Sequence, residues 1–254
     1  MKKLKYLSFA VFLVFSFYLT DKIMIYIDNQ SPLMKVIESV ESDYNVKAVN
    51  AIIKDNTIIP GLKGKEINRH KSLLKMEEFG SFNETYLVYN MVDPSISLKD
   101  NKDKIIIRGN DSKREISLIL EENPLLEDYL NENNIKYNYL AKLNSNLSLD
   151  REYINAESDE KKFSDLDAIL NKNSLNKNIC FVNYSNPNSC QKKKYYLVRP
   201  SIDSNNKQYI LEKINSGDII LINKNTSLET LKLILSEIKK LDLTIVYLST
   251  LISE

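Results

Sequence analysis

Short apolar runs alternate with segments of helical periodicity along the C-terminal half of the chain, and this alternation limits the possible fold most. The predicted strands comprise residues 116–120, 135–140, 179–184, 195–198, 219–222 and 243–248. The predicted helices comprise residues 124–133, residues 164–171 and a segment that begins after Thr226. Strands separated by helices of about ten residues are typical of a parallel sheet with helices packed outside it. We therefore expect an α/β fold.

Two of these helices have recognisable starts. Asn123 precedes Pro124, and an Asn–Pro pair suits the N-cap and first position of a helix because proline needs no N–H there. Thr226 and Glu229 have the spacing of a capping box. Residues 141–163 are polar and are predicted to form a loop.

The N-terminus has the features of an export signal or a membrane anchor. Three lysines among the first five residues precede an apolar run from Tyr6 to Leu19, and a second apolar stretch covers Ile23–Ile27. Residues 15–20 are bulky, whereas a cleavable signal needs small residues near its cleavage site. We therefore predict an uncleaved single-pass anchor, and the lysines place the rest of the chain outside the cytoplasm. A cleaved signal is the alternative.

Four segments follow from these patterns. They are an anchor at residues 1–29, a helical stalk at 30–44, a small α+β module at 45–112 and the α/β domain at 113–254. The module contains a predicted hairpin within residues 46–59. Gly61 and Gly64 are two of only five glycines, and we expect both to hold positive-φ positions in a tight loop.

Charge and histidine content exclude several function classes. The formal charge is +1, from 35 basic and 34 acidic residues, so the chain lacks the basic character that nucleic-acid binding requires. His70 is the only histidine. Most zinc hydrolases bind their metal through at least two imidazoles, and histidine is also the most frequent general base. A hydrolytic site of either kind is therefore hard to build from this sequence. No cofactor is expected.

Cys180 and Cys190 are the only cysteines. An exported location favours a disulfide between them. Two buried free thiols remain the alternative. A zinc site or a nucleophilic cysteine is disfavoured because no histidine lies near either residue in the sequence.

The C-terminal domain resembles the NodB-type polysaccharide deacetylases. Residues 216–223, SGDIILIN, resemble the family's G-s-I-I-L-x-H strand, and residues 243–252 resemble its closing strand. Residues 119–124, ILEENP, stand where the family has T-F-D-D-G-P, and residues 134–140 resemble its second strand. The segment 59–109 is similar to a module that precedes such domains in exported proteins of low-GC Gram-positive bacteria. The resemblance implies an abbreviated (β/α) barrel-like deacetylase domain.

The family's metal-dependent N-deacetylation uses an Asp pair and the two histidines of an H-x-x-x-H motif. Here the resemblance places Glu121 and Glu122 at the Asp pair and Asn223 at the last histidine, and the domain contains no histidine. The longer glutamates displace the carboxylates beyond the tolerance of a preorganised site. We therefore expect these three positions to be vestigial, with no catalytic residue and no metal. A hard cation bound by their oxygens is one alternative, and a charged strand end that favours the next helix is another.

These features predict a membrane-anchored extracytoplasmic protein that lacks the catalytic residues and binds cell-wall glycan or an envelope protein. The alternative is a weakly active carbohydrate hydrolase or deacetylase acting on cell-wall polysaccharide. Adjacent glutamates on a strand point to opposite faces, so a carboxylate pair would need Glu212 or Asp218 as the partner of Glu121. A third possibility is a structural role for the module at 45–110.

Overall fold

The computed structural model describes residues 2–148, 151–204 and 213–254, and for residues 2–10 and 21 it describes the backbone alone. The chain divides into two compact units. The smaller comprises Met1–Ala48 and Lys63–Val92, and the larger comprises Val49–Leu62 and Asp93–Glu254.

The described helices and strands are numbered in chain order. The helices are α1 (Lys2–Gln30), α2 (Pro32–Tyr44), α3 (Arg69–Glu77), α4 (Pro124–Glu132), α5 (Glu160–Lys172), α6 (Pro187–Lys193), α7 (Leu228–Lys240) and α8 (Leu248–Leu251). The strands are β1 (Ile52–Lys54), β2 (Thr57–Ile59), β3 (Gly64–Ile67), β4 (Tyr89–Val92), β5 (Ile105–Ile106), β6 (Glu115–Leu120), β7 (Asn138–Ala141), β8 (Glu152–Asn155), β9 (Ile179–Phe181), β10 (Tyr196–Val198), β11 (Ile202–Asp203), β12 (Ile219–Ile222) and β13 (Thr244–Ile245).

The smaller unit contains α1, α2, α3 and the antiparallel pair of β3 and β4. Met34 and Ile37 of α2 are buried against Leu73 and Met76 of α3. The segment predicted as a stalk therefore contributes to a packed core, because α2 has an apolar face that α3 covers.

Helix α1 covers the predicted anchor. Within the part of the chain that the structure describes, no helix has the length and apolar character that crossing a membrane requires. Met1 and the side chains of residues 2–10 and 21, on which the anchor prediction also rests, lie outside the described residues.

The larger unit contains two sheets that are mostly parallel. One has the strand order β11-β12-β6-β7-β8, with β13 beside the first residues of β6, and all of its pairs are parallel. The other has the order β1-β2-β5-β10-β9, in which only β1 and β2 are antiparallel. A bridge between Tyr153 and Asn176 links β8 to the segment before β9. The two sheets thus approximate an incomplete barrel.

The two faces of the first sheet bury different clusters. Ile119 and Leu221 lie in a cluster with Phe181 of β9, and no residue of α4, α5 or α7 belongs to it. Leu118 and Ile220 lie in a second cluster, together with leucines of those three helices. Because strand side chains alternate, the first cluster fills the barrel interior and the second joins the strands to the outer helices.

Two segments assigned to the predicted module at 45–112 belong to the larger unit. Residues 49–62 and 93–112 carry β1, β2 and β5. Strand β2 pairs with β5, and β5 pairs with β10. The module boundaries therefore need correction, because this parallel pairing joins segments that are distant in sequence.

Several local predictions also need correction. Residues 152–155 form β8 inside the predicted loop, and β13 is only two residues long and is followed by α8. The N-cap of α7 is Ser227, because the hydroxyl of Thr226 bonds to that of Ser204 instead.

The prediction of a positive φ is wrong for both Gly61 and Gly64; among the described glycines, Gly80 and Gly217 have one. A Cβ on Gly61 would lie 2.2 Å from the Val49 carbonyl oxygen, and one on Gly64 would lie 2.4 Å from that of Val46. Both glycines therefore allow close approach of the backbone.

Candidate functional site

A cleft of about 770 Å³ lies at the carboxyl ends of the parallel strands of the larger unit. Residues that follow five strands line it. After β6 these are Glu121 and Glu122, near the end of β7 Leu140, Lys142, Leu143 and Asn144, after β8 Ala156, Glu157 and Ser158, after β9 Asn183 and Tyr184, and after β12 Lys224; Lys162 of α5 completes the lining. This edge of a parallel α/β fold is where functional sites usually form.

Glu121 lies at the centre of the hydrogen bonds in the cleft. Its backbone N–H donates to the carbonyl of Ile222 at 2.9 Å, which extends the ladder between β6 and β12. Its carboxylate accepts a bond from the backbone N–H of Lys224 at 2.9 Å. Burial raises the pKa of Tyr184, and the charges of Glu121 and Asp203 raise it further.

Asn223 is buried beside this group. Its backbone N–H donates to the Oγ of Ser204 at 2.9 Å. Its side-chain amide donates to the carboxylate of Asp203. The amide therefore orients Asp203, although neither residue lines the cleft itself.

Glu122 is exposed and also lines the cleft. Both glutamates thus line one cleft, whereas strand alternation predicts opposite faces for them. The physical reason is that β6 ends at Leu120, so strict strand alternation no longer governs the residues that follow.

Of the two predicted partner carboxylates, the structure describes only Asp218, which does not lie beside Glu121. Glu212 lies outside the described residues. Asp218 precedes β12, and the register of β12 with β6 places it level with Ile116. Ile116 is five residues before Glu121, so at the usual rise of a strand Asp218 and Glu121 are separated by about 16 Å along the strand direction. Asp218 accepts bonds from Ser201 Oγ at 2.9 Å and from the Asn215 N–H at 2.7 Å, and burial raises its pKa. Asp218 is a structural group at the opposite end of the barrel.

Cys180 and Cys190 form a disulfide with an S–S distance of 2.04 Å. Both residues are buried, one in β9 and the other in α6. The bond fastens α6 to the strand whose end carries Asn183 and Tyr184.

Comparison by sequence gives a partial match. No protein-family profile matches the chain. A protein of Bacillus subtilis (strain 168), named uncharacterized protein YlxY, is 33% identical over 93 residues. The match covers 36% of this chain and 29% of that relative, so it spans less than a third of the relative's length.

Comparison by structure is more extensive. The structure of BA3943 from Bacillus anthracis, described as a CE4 family pseudoenzyme, has a TM-score of 0.59 to this chain at 17% identity, over 89% of this chain and 96% of that one. A BA3943 mutant described as having restored enzymatic activity has the same TM-score over 88% and 99%. The chain has the polysaccharide deacetylase fold. This confirms the predicted α/β deacetylase-like architecture.

The cleft does not fit the metal that the deacetylase fold implies. Among the residues described, no group of three or more His, Cys, Asp or Glu side chains could hold a metal ion. The Glu121 carboxylate accepts a bond from the Lys224 backbone N–H, and the Asn223 amide donates to the Asp203 carboxylate. Three lysines also line the cleft and would repel a cation. This donor set disfavours the Ca²⁺ or Mg²⁺ alternative as well.

Sequence reasoning missed most of the cleft of this deacetylase fold. Of the lining it found Glu121 and Glu122 but not Tyr184 or the three lysines, and Asn223, which it also found, lies outside the lining. One signal was present, since Lys142 and Lys224 each closely follow a predicted strand and the carboxyl ends of parallel strands share one edge.

Proposed function

We propose that the protein is a non-catalytic glycan-binding protein that acts outside the cytoplasm and uses the cleft of its deacetylase fold as the binding site. The observation that carries this proposal is the combination of an open cleft of about 770 Å³ with the absence, among its described lining residues, of a metal-binding group. A fold does not by itself transfer an activity, since activity depends on the residues of the site.

The lining of the cleft supports a sugar as ligand. The half-buried Tyr184 supplies an aromatic ring with an apolar body and a polar tip. Asn144, Ser158 and Asn183 add neutral hydrogen-bonding groups from three separate loops. Such a mixture suits a ligand that presents both apolar faces and hydroxyl groups.

Two features support a location outside the cytoplasm, with the N-terminal segment as the anchor. Apolar side chains of α1 are exposed, among them Phe12, Phe17 and Tyr26 at 66%, 74% and 67%, and such a surface favours contact with a membrane or a partner. The disulfide between Cys180 and Cys190 is typical of an oxidising compartment.

A second candidate function is weak carbohydrate hydrolysis by carboxylates. The charges of Glu121 and Asp203 both raise the pKa of Tyr184, which makes these two residues the candidate carboxylates. Pairs of carboxyl groups about 5 to 10 Å apart catalyse glycoside hydrolysis. The two functions differ in whether glycan is cleaved.

The test uses the full chain in detergent and measures binding of tetra-N-acetylchitotetraose by calorimetry, together with acetate release, new reducing ends and bound zinc. We expect binding without products or stoichiometric zinc. Tyr184→Ala should weaken binding by about tenfold, as loss of an aromatic contact does. Tyr129→Ala changes a partly buried tyrosine outside the cleft and should leave affinity unchanged.

Three results would contradict the proposal. They are product release that Glu121→Gln abolishes, one tightly bound zinc per chain, and no affinity for any cell-wall glycan. The first of these would support the hydrolase.

A further inference from the structure

Three lysines from three separate connections converge on the cleft. Lys142 follows β7, Lys162 lies in the first turn of α5, and Lys224 follows β12. All three are exposed. The lining of the cleft therefore includes lysines from three separate connections.

These ammonium groups are unpaired within the described residues, since no hydrogen bond or salt bridge occupies any of them there. Lysines on the nearby α6 differ. Lys192 pairs with Glu160 at 2.5 Å and Lys193 pairs with the buried Asp167 at 2.9 Å. The chain thus supplies carboxylates to lysines outside the cleft and none to these three.

The carboxylates of the cleft are mostly committed to other donors. Glu121 accepts from the Lys224 backbone N–H at 2.9 Å, and Glu157 accepts from the Leu143 N–H at 2.8 Å. Of the described acids that line the cleft, Glu122 alone has no such donor. The three glutamates keep their charges, but none of them forms an ion pair with the three ammonium groups, which therefore remain available to a ligand.

We propose that the cleft binds an acidic glycan, and that Lys142, Lys162 and Lys224 bind its carboxylate or phosphate groups. This inference rests on the proposed glycan-binding function and specifies its ligand class. An ammonium group binds such anions as a point charge with three donors. Because the lysines are exposed, salt weakens their attraction for the ligand.

The experiment compares three probes with the full chain at low and high NaCl. The probes are neutral tetra-N-acetylchitotetraose, a tetrasaccharide of alternating N-acetylglucosamine and N-acetylmuramic acid with lactyl carboxylates, and glycerol phosphate oligomers bearing N-acetylglucosamine. We expect at least one acidic probe to bind ten times more tightly than the neutral one at low salt, and less so at high salt. The acidic probe that binds identifies the anion as carboxylate or phosphate.

The variant is the triple substitution Lys142→Gln, Lys162→Gln and Lys224→Gln, and it should bind acidic and neutral probes equally. The control is Lys161→Gln, Lys172→Gln and Lys239→Gln, which removes the same charge from exposed positions outside the cleft. The control should keep the preference.

Equal affinity of the unmodified chain for neutral and acidic probes overturns this inference and leaves glycan binding intact. A preference that survives in the cleft variant also overturns it. Failure of all three probes to bind contradicts the proposed function as well.

Discussion

The pKa of Tyr184, which lines the cleft, depends on both burial and neighbouring charges. Burial raises the pKa of its hydroxyl, and Glu121 and Asp203 raise it further. A raised pKa favours the protonated form of the Tyr184 hydroxyl. The unfolded chain loses this proton more readily, so the contribution to stability is present below the unfolded pKa and is lost as the pH rises through the folded one.

Replacing Glu121 tests its effect on Tyr184. Glu121→Gln removes a charge and an acceptor, so we expect the pKa of Tyr184 to fall toward its ordinary value, and the remaining burial should keep it raised. The measurement is a pH titration by NMR of chain with labelled tyrosine rings, with Tyr184→Phe used to assign the signal. Glu122→Gln is the matched control, because Glu122 is not among the causes of the shift. An identical titration in both variants would show that Glu121 does not raise the pKa of the hydroxyl.

The site residues that sequence could predict are those fixed by strand register. Asn223 and Glu121 follow paired strands, and the pairing of Ile222 with Leu120 brings them side by side. Tyr184 and Lys162 could not be found in this way. They come from a turn and a helix, whose approach to the cleft depends on three-dimensional packing.

At the scale of elements, the sequence pattern predicted those strands whose buried side chains are apolar. The predicted strand at 219–222 is β12, and α4 begins at Pro124 with Asn123 as its N-cap. Strand β8 was missed because two of its four buried residues are polar. Glu152 is bonded by the Ser249 hydroxyl at 2.5 Å, and the Asn155 amide donates to the Phe163 carbonyl at 2.8 Å. Hydrogen-bond partners of this kind allow the polar residues of a strand to be buried. The sequence pattern does not reveal these partners.

The disulfide joins two elements near the cleft, and its removal gives an element-scale prediction. The double variant Cys180→Ala and Cys190→Ala should lose roughly 2 to 3 kcal/mol of unfolding free energy, because the bond closes a loop of about ten residues in the unfolded chain. Urea unfolding with and without reductant measures this loss. Reductant should destabilise the unmodified chain by a similar amount and leave the variant unchanged. If reductant has no effect on the unmodified chain, the bond does not stabilise the fold.

At the scale of the whole molecule, segments that are consecutive in sequence do not always belong to the same compact unit. Residues 49–62 belong to the larger unit although residues on both sides of them belong to the smaller one. Strand β2 reaches β5 across about 45 residues of sequence. Sequence segmentation divides a chain into consecutive blocks, so it could not represent this interleaving.

The orientation of the whole molecule gives the last prediction. The lysines at positions 2, 3 and 5 precede the apolar run, so the chain after residue 30 should lie outside the cytoplasm. With a C-terminal epitope tag in a Gram-positive host, protease added to intact protoplasts should degrade the tag while a cytoplasmic marker survives. Changing the three lysines to glutamate should protect part of the population. Protection of the unmodified chain contradicts the orientation, and a soluble product with a new N-terminus near residue 20 indicates a cleaved signal instead.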